Sequence, residues 1–168
     1  MGASSQGFRF SADPLVIDLS SESRVLGAPI DGLIGRDFFQ GRSIKIDFKR
    51  SRLHVSPIGK PGPNATRLPL SHSRDGMFVG LTAGDSFLQR VRLDTGCGSP
   101  HRGTRDGKTL KTDVNLGSLV MSDVHTDAYR RPLFAGEDGL LGTALLSRFD
   151  SVWIDSINNR ISFESVRD

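Results

Sequence analysis

Apolar and polar residues alternate along much of the chain, a period of two that sends successive side chains to opposite faces of a β-strand. In Ser43-Ile44-Lys45-Ile46-Asp47-Phe48-Lys49, the residues Ile44, Ile46 and Phe48 share one face. After a break at Lys49–Arg52 comes Leu53-His54-Val55, so this stretch reads as a hairpin. Met77-Phe78-Val79-Gly80-Leu81 is another predicted strand, and Ala83-Gly84-Asp85-Ser86 a turn. The chain then returns through Phe87–Leu93, with Phe87, Gln89, Val91 and Leu93 on one face. Near the end, Val152 and Ile154, an Asn158-Asn159 turn, and Ile161 and Phe163 predict a further hairpin. Trp153 points away from Val152 and Ile154, toward a subunit or lobe contact. Leu15-Val16-Ile17 is a shorter apolar strand candidate.

Two of these regions are copies of each other. Asp31-Gly32-Leu33-Ile34-Gly35 aligns with Asp138-Gly139-Leu140-Leu141-Gly142, and Ile46-Asp47 aligns with Ile154-Asp155 after one inserted residue. Each copy is expected to run through the same states: a short apolar strand ending in Gly, a helix of one or two turns (Arg36–Gln40, Thr143–Arg148), then a hairpin. Asp31 and Asp138, which precede the apolar strands, read as turn residues. Between the copies, Ser56-Pro57-Ile58-Gly59-Lys60-Pro61-Gly62-Pro63-Asn64-Ala65 has the composition of a linker. The expected organisation is residues 1–57 as the incomplete C-terminal half of a first lobe, 58–67 as linker, and 68–168 as a lobe.

Composition narrows the class without naming a chemistry. Nineteen glycines and eight prolines in 168 residues imply many turns and short strands. Hydrophobic residues at 36% and charged residues at 24% are ordinary for a soluble domain. No apolar run approaches the ~20 residues that span a bilayer, and Met1–Gly7 lacks the apolar core of a signal peptide. The N-terminus reads as a boundary rather than a native start, which leaves the compartment open. The net charge of +3 comes from scattered cations, apart from Arg102, Arg105, Lys108 and Lys111. Those four read as a solvated loop or hairpin, so no nucleic-acid partner is expected. With Cys97 as the only cysteine, no intrachain disulfide can form. His54, His72, His101 and His125 lack metal-ligand spacing, so neither metal nor cofactor is expected. Asn64-Ala65-Thr66 is a glycosylation sequon, with meaning only in a secreted eukaryotic protein.

The candidate chemistry lies where the Phe87–Leu93 strand ends, at Leu93-Asp94-Thr95-Gly96. A hairpin, an apolar-Asp-Thr-Gly loop, and a later apolar-apolar-Gly step into a short helix resemble the retropepsin-like aspartic protease family, both retroviral-type and bacterial. That resemblance covers about residues 68–165 as one lobe. It implies an all-β acid-protease fold in which Asp94 is catalytic, Thr95 and Gly96 support its loop, and Leu140, Leu141 and Gly142 thread beside it as a psi-loop. It also implies peptide-bond hydrolysis by a water held between two aspartates that share a proton. The partner would be a peptide or protein substrate.

The family usually has Ala or Ser where Cys97 stands, and Cys97 is small enough to pack there; a reactive thiol is the alternative reading, though no His is placed to activate it. A flap hairpin is expected between Asp94 and Gly142, with Arg105-Asp106-Gly107-Lys108 as its turn, although this lacks the family's glycine-rich tip. The chain has one Asp-Thr-Gly, so the second carboxylate would come from a homodimer or from an upstream half-lobe, and this stretch alone is expected to be inactive. A non-catalytic peptide-binding or assembly module on the same fold is the competing function. Gly84-Asp85-Ser86-Phe87 is similar to an esterase nucleophile block, but its place at a hairpin tip makes it a turn.

Overall fold

The computed structural model describes residues 16–35, 38, 40–97, 101–103, 110–129 and 136–167. The chain divides into two compact units, Met1–Phe38 and Phe39–Asp168.

In the first unit the described secondary structure is one helix, α1 (Ser20–Leu26), which the alternation did not predict. It ends on Gly27 at φ 71°, the left-handed conformation that glycine adopts without a Cβ clash. Two sequence expectations fail here. Val16 and Ile17 form no strand and are 99% and 57% exposed, while Leu15 lies outside the described residues. Leu33-Ile34-Gly35 also forms no strand, and Leu33 and Ile34 are 66% and 59% exposed. A strand is stable only with a partner to take its N–H and C=O groups, and the described residues of its own unit include no strand to supply one. The helix expected over Arg36–Gln40 falls largely outside the described residues; Phe38 donates its N–H to Gly35 O at 3.1 Å.

The second unit is built almost wholly from strands, as the alternation predicts. These are β1 (Ser43–Asp47), β2 (Arg52–Ser56), β3 (Thr66–Ser73), β4 (Gly76–Ala83), β5 (Ser86–Asp94), β6 (His101–Gly103), β7 (Leu110–Leu116), β8 (Leu119–Tyr129), β9 (Gly139–Gly142), β10 (Phe149–Asp155) and β11 (Arg160–Val166), with α2 (Thr143–Leu146) after β9. They hydrogen-bond in the order β2-β1-β10-β11-β3-β4-β5-β9-β6-β8-β7, and β7 pairs again with β4. The last six strands therefore close on themselves, which leaves no free edge where β4 meets β7. β3 joins this ring to the open part. Its first half, Thr66–Pro69, pairs with β11, and its second half, Leu70–Ser73, pairs with β4. The core runs through both parts, from Leu81, Val91, Val114, Met121 and Leu141 in the ring to Phe149, Val152, Ile154, Ile161 and Phe163 in the open sheet. The Phe149 and Phe163 rings pack at 4.9 Å between centroids, a distance typical of favourable aromatic pairs.

One predicted face is corrected. The alternation puts Phe87 and Gln89 on one face with Val91 and Leu93, yet Phe87 is 71% exposed and Gln89 is exposed, while Val91 and Leu93 are buried. The β4–β5 register slips between Val79 and Leu81, so Val79 faces Val91 but Leu81 faces Leu88. An irregularity of this kind inserts a residue and inverts the facing of everything beyond it. Leu88 thus packs on the core in place of Phe87.

The duplication is reproduced in the backbone of the two hairpins. In the first, Ile44 faces Val55 and Ile46 faces Leu53; in the second, Val152 faces Phe163 and Ile154 faces Ile161. Both turns use the same device. Asp47 Oδ1 accepts the N–H of Arg50 at 2.9 Å, and Asp155 Oδ1 accepts the N–H of Asn158 at 3.1 Å. Both then pass through a left-handed residue, Ser51 at φ 52° and Asn159 at φ 50°. The two hairpins meet through β1 and β10, with Ile44 opposite Ile154, Lys45 opposite Trp153 and Ile46 opposite Val152. Lys45 and Trp153 occupy equivalent positions in the two copies, so a local twofold axis passes between them.

Trp153 turns away from the core, as the alternation predicts, and meets its own chain. Lys45 Nζ lies 5.5 Å from its ring centroid, and its indole N–H donates to Glu164 Oε1 at 3.2 Å. Glu164 also accepts from Ser151 Oγ and from the N–H of Gly62, and pairs with Lys45 Nζ at 3.1 Å. The predicted linker is thereby pinned to β11.

Candidate active site at Asp94

Asp94 is the last residue of β5, and what holds it is a parallel pairing between β5 and β9. Val91 lies opposite Gly139, Arg92 opposite Leu140, Leu93 opposite Leu141, and Asp94 opposite Gly142. The apolar-Asp and apolar-apolar-Gly segments singled out in the sequence are therefore neighbouring strands, a strand spacing (~4.8 Å) apart. Leu93, Leu140 and Leu141 are all buried, and they anchor both strands in the core. A strand that feeds a loop from the core fixes that loop in position more tightly than a surface turn would.

Beyond Asp94 the chain folds tightly back. Asp94 Oδ1 accepts the N–H of Gly96 at 3.0 Å, and Asp94 O accepts the N–H of Cys97 at 3.2 Å. A Cβ on residue 96 would sit 3.3 Å from Asp94 Oδ1, so glycine there lets the carboxylate keep its hydrogen bond without being pushed aside. The loop is also tied to α2. The Thr143 hydroxyl donates to Thr95 O at 2.6 Å, and the Thr143 N–H donates to Cys97 O at 2.7 Å. The Asp94 side chain is half-buried, and Thr95 and Gly96 are exposed. The loop thus presents a carboxylate to the surface on a rigid base.

Four supporting residues were missed or under-read. Thr143, read only as the start of a helix, ties α2 to the Thr95 carbonyl; its place directly after Gly142 was the available signal. Asp138, read as a turn residue, accepts the N–H groups of Gln89 and Arg90 through Oδ2, both at 2.9 Å, and donates its own N–H to Arg90 O at 3.0 Å. It clamps the entry of β9 onto β5. Arg92 and Glu137 form an ion pair, with 14% and 4% of their side chains exposed, and Arg92 lies 5.7 Å from the Phe78 ring. Charges this deeply buried are costly unless paired, so the pair fixes the same β5–β9 crossing. No sequence spacing pointed to it.

The proposed flap turn, Arg105–Lys108, lies outside the described residues. Between Asp94 and Gly142 the described hairpin is β7–β8, whose turn holds Gly117 at φ 65°. Among the described residues, no three His, Cys, Asp or Glu side chains come together in a way that would hold a metal ion. Among the described residues, no helix is long and apolar enough to cross a membrane.

No family model and no curated protein matches the chain. Among solved structures it is similar to a retropepsin-like aspartic protease from Rickettsia conorii, at 15% identity and a TM-score of 0.45. The match covers 63% of this chain and 96% of that one. No residue role is carried over from so slight a likeness; Asp94 stands on the geometry of its own loop.

Proposed function

We propose that this chain is the Asp94-bearing part of an aspartic endopeptidase. The observation that carries this reading is the pairing of Asp94 with Gly142. It seats a carboxylate at the end of a strand that Val91 and Leu93 anchor in the core, with its loop held by Gly96 N–H and the Thr143 hydroxyl. In the proposed reaction one carboxylate of a pair takes a proton from water while the other gives its proton to the peptide carbonyl oxygen. The hydroxide adds to the carbonyl carbon, and the C–N bond breaks as the amine takes up a proton. Asp94 supplies one carboxylate, and a second Asp-bearing lobe supplies the other. Thr95 and Gly96 keep the loop in place, and Leu140, Leu141 and Gly142 keep the strand beside it.

The test is cleavage of extended peptides between acid and neutral pH by the native assembly, compared with Asp94→Asn. Losing an essential acid–base group is expected to lower kcat/KM by about 10³-fold or more. Equal cleavage by both proteins removes Asp94 from the mechanism. Peptide binding without cleavage in the unsubstituted protein would favour a binding or assembly module.

A further inference from the structure

We infer that the cleft between β3, β4 and β7 is a small-molecule site separate from Asp94. Its ligand is an uncharged planar aromatic compound of one or two rings, with a hydrogen-bond donor and acceptor on one edge. The cleft arises because β4 shares one of its sides between two strands. Leu70 of β3 lies opposite Val79, and Asn115 of β7 lies opposite Thr82. Between those pairs β3 has peeled away, since its first half follows β11. Gly80 and Leu81 therefore have no described strand on that side. The turn after β7 closes the fork, packed so near β3 that a Cβ on Gly117 would sit 3.1 Å from Leu68 Cδ2. The cleft at this fork is open and measures about 450 Å³, within the range of roughly 300–1,000 Å³ for small-molecule sites. None of its lining residues belongs to the Asp94 loop or to β9, so the site takes nothing from the catalytic reading.

Length, shape and charge select the occupant. From Val79 to Thr82 is three steps along a strand, about 10 Å, with two positions free between them. The shortest strands need about three residues or more, so a pair of fused rings fits this window and an added strand does not. Phe78 and Phe87 both line the cleft. The Phe87 ring lies across Gly80, where a Cβ would meet its Cζ at 3.2 Å, and yet Phe87 is 71% exposed. A glycine at a register slip, beneath an exposed ring, leaves a flat apolar shelf on which another ring can stack. Thr82, Gln89 and Asn115 line the cleft as well, but no charged side chain does. Arg90 and Arg92, which lie against Phe78, are already engaged with Gly136 O and with Glu137. A charged ligand would lose its water there without gaining a counter-charge. Hydroxyl and carboxamide groups instead suit a neutral edge that both donates and accepts.

The test titrates the full chain with carbostyril, a neutral fused-ring lactam whose N–H and C=O stand side by side, and follows backbone amide shifts by NMR. Saturable shifts are expected at Gly80, Leu81, Phe87 and Asn115, with a Kd of about 1 mM or tighter for so small a molecule. Naphthoate, of similar size but charged, should bind about tenfold more weakly or worse. Phe87→Ala removes the shelf from a side chain that is mostly in water, and is expected to weaken carbostyril about tenfold, with the β10 and β11 shifts unmoved as the sign of an intact fold. Gly80→Ala, which pushes the Phe87 ring aside, should weaken it similarly. Absence of saturable shifts at the cleft overturns the proposal, as does undiminished binding by folded Phe87→Ala. Naphthoate binding as tightly as carbostyril overturns the neutral class of ligand. Shifts centred on Asp94–Cys97 would place the ligand at the other site, and a cleft that ignores carbostyril but answers to an extended peptide would be a protein-docking surface; either result sinks the inference.

Discussion

The hairpins β1–β2 and β10–β11 have nearly the same pattern, the same register and the same aspartate-capped turn, yet one lies in the core and the other stands half outside it. Ile161 is fully buried where Leu53 is half exposed. The backbone was decided locally, by alternation and by Asp47 and Asp155. The burial was decided by what else in the chain reached each hairpin. The apolar-Gly segments teach the same lesson more sharply. Leu140-Leu141-Gly142 has β5 beside it and is a buried strand, whereas Leu33-Ile34-Gly35 has no strand to pair with among the described residues of its own unit and is exposed and irregular. A strand-forming sequence is an offer that a second strand must accept.

The largest break in the comparison should come from truncating the equivalent apolar residues. Ile161→Ala is expected to lower the stability of the chain by about 2–5 kcal/mol, the range for emptying a packed site. Leu53→Ala should cost less than about 1 kcal/mol, because its side chain is already half in water. Urea unfolding of both variants would measure the gap, and equal losses would mean that β2 is covered after all.

Acid should distinguish the copies next, through residues at equivalent positions, Glu164 and Ser56. Burial works to raise the pKa of Glu164, but the Ser151 hydroxyl, the Gly62 N–H and Lys45 together outweigh it, so the folded value is depressed. A carboxylate depressed on folding contributes stability that is fully present above the unfolded value of about 4.3 and fades as pH falls through the lower folded value. Glu164→Gln is therefore expected to lower Tm at neutral pH and to flatten its fall below pH ~4. Ser56→Ala should leave the acid limb as it is. A Glu164→Gln curve parallel to that of the unsubstituted chain would contradict the role given to this carboxylate.

The smallest expected effect sharpens the match between the turns. Ser51 and Asn159 both sit at positive φ, a conformation that costs most side chains about 1 kcal/mol and asparagine less. Ser51→Gly is expected to stabilise the chain by about 0.5 kcal/mol, and Asn159→Gly to be near neutral. Thermal melts resolve a difference of that size. The opposite order would mean that the two turns differ in a way their dihedrals do not reveal.

What the sequence revealed follows the same division between local and long-range causes. The hairpins were legible because alternation and turn residues sit within a dozen positions of one another. The Asp94–Gly142 pairing was legible only because two short motifs resembled a known family and so linked distant segments. Alternation could not foresee the slip between Val79 and Leu81 that turned Phe87 outward, since a bulge changes phase without changing composition. Nor could it foresee that β3 changes partner at Pro69–Leu70, or that Glu164 would gather Gly62, Ser151, Trp153 and Lys45, because those groups come from distant stretches of chain. Thr143 and Asp138 were visible as residues but not as supports, because each acts on a backbone group of a strand far from it in sequence.

The meeting of β1 with β10 also sets the order in which the molecule can assemble. Ser156 Oγ accepts the N–H of Arg42 across 114 positions of sequence. Contacts that close so long a loop are made late, since the entropy of closure must be overcome before they contribute. The β1–β2 hairpin, which ends at Ser56, is made well before β10 begins at Phe149 and must wait for that partner. Its apolar face, Ile44 and Ile46, is exposed throughout that interval. The hairpin thus spends synthesis as an open strand template, and slow refolding, with aggregation as the competing outcome, is the kinetic signature this topology writes into the molecule.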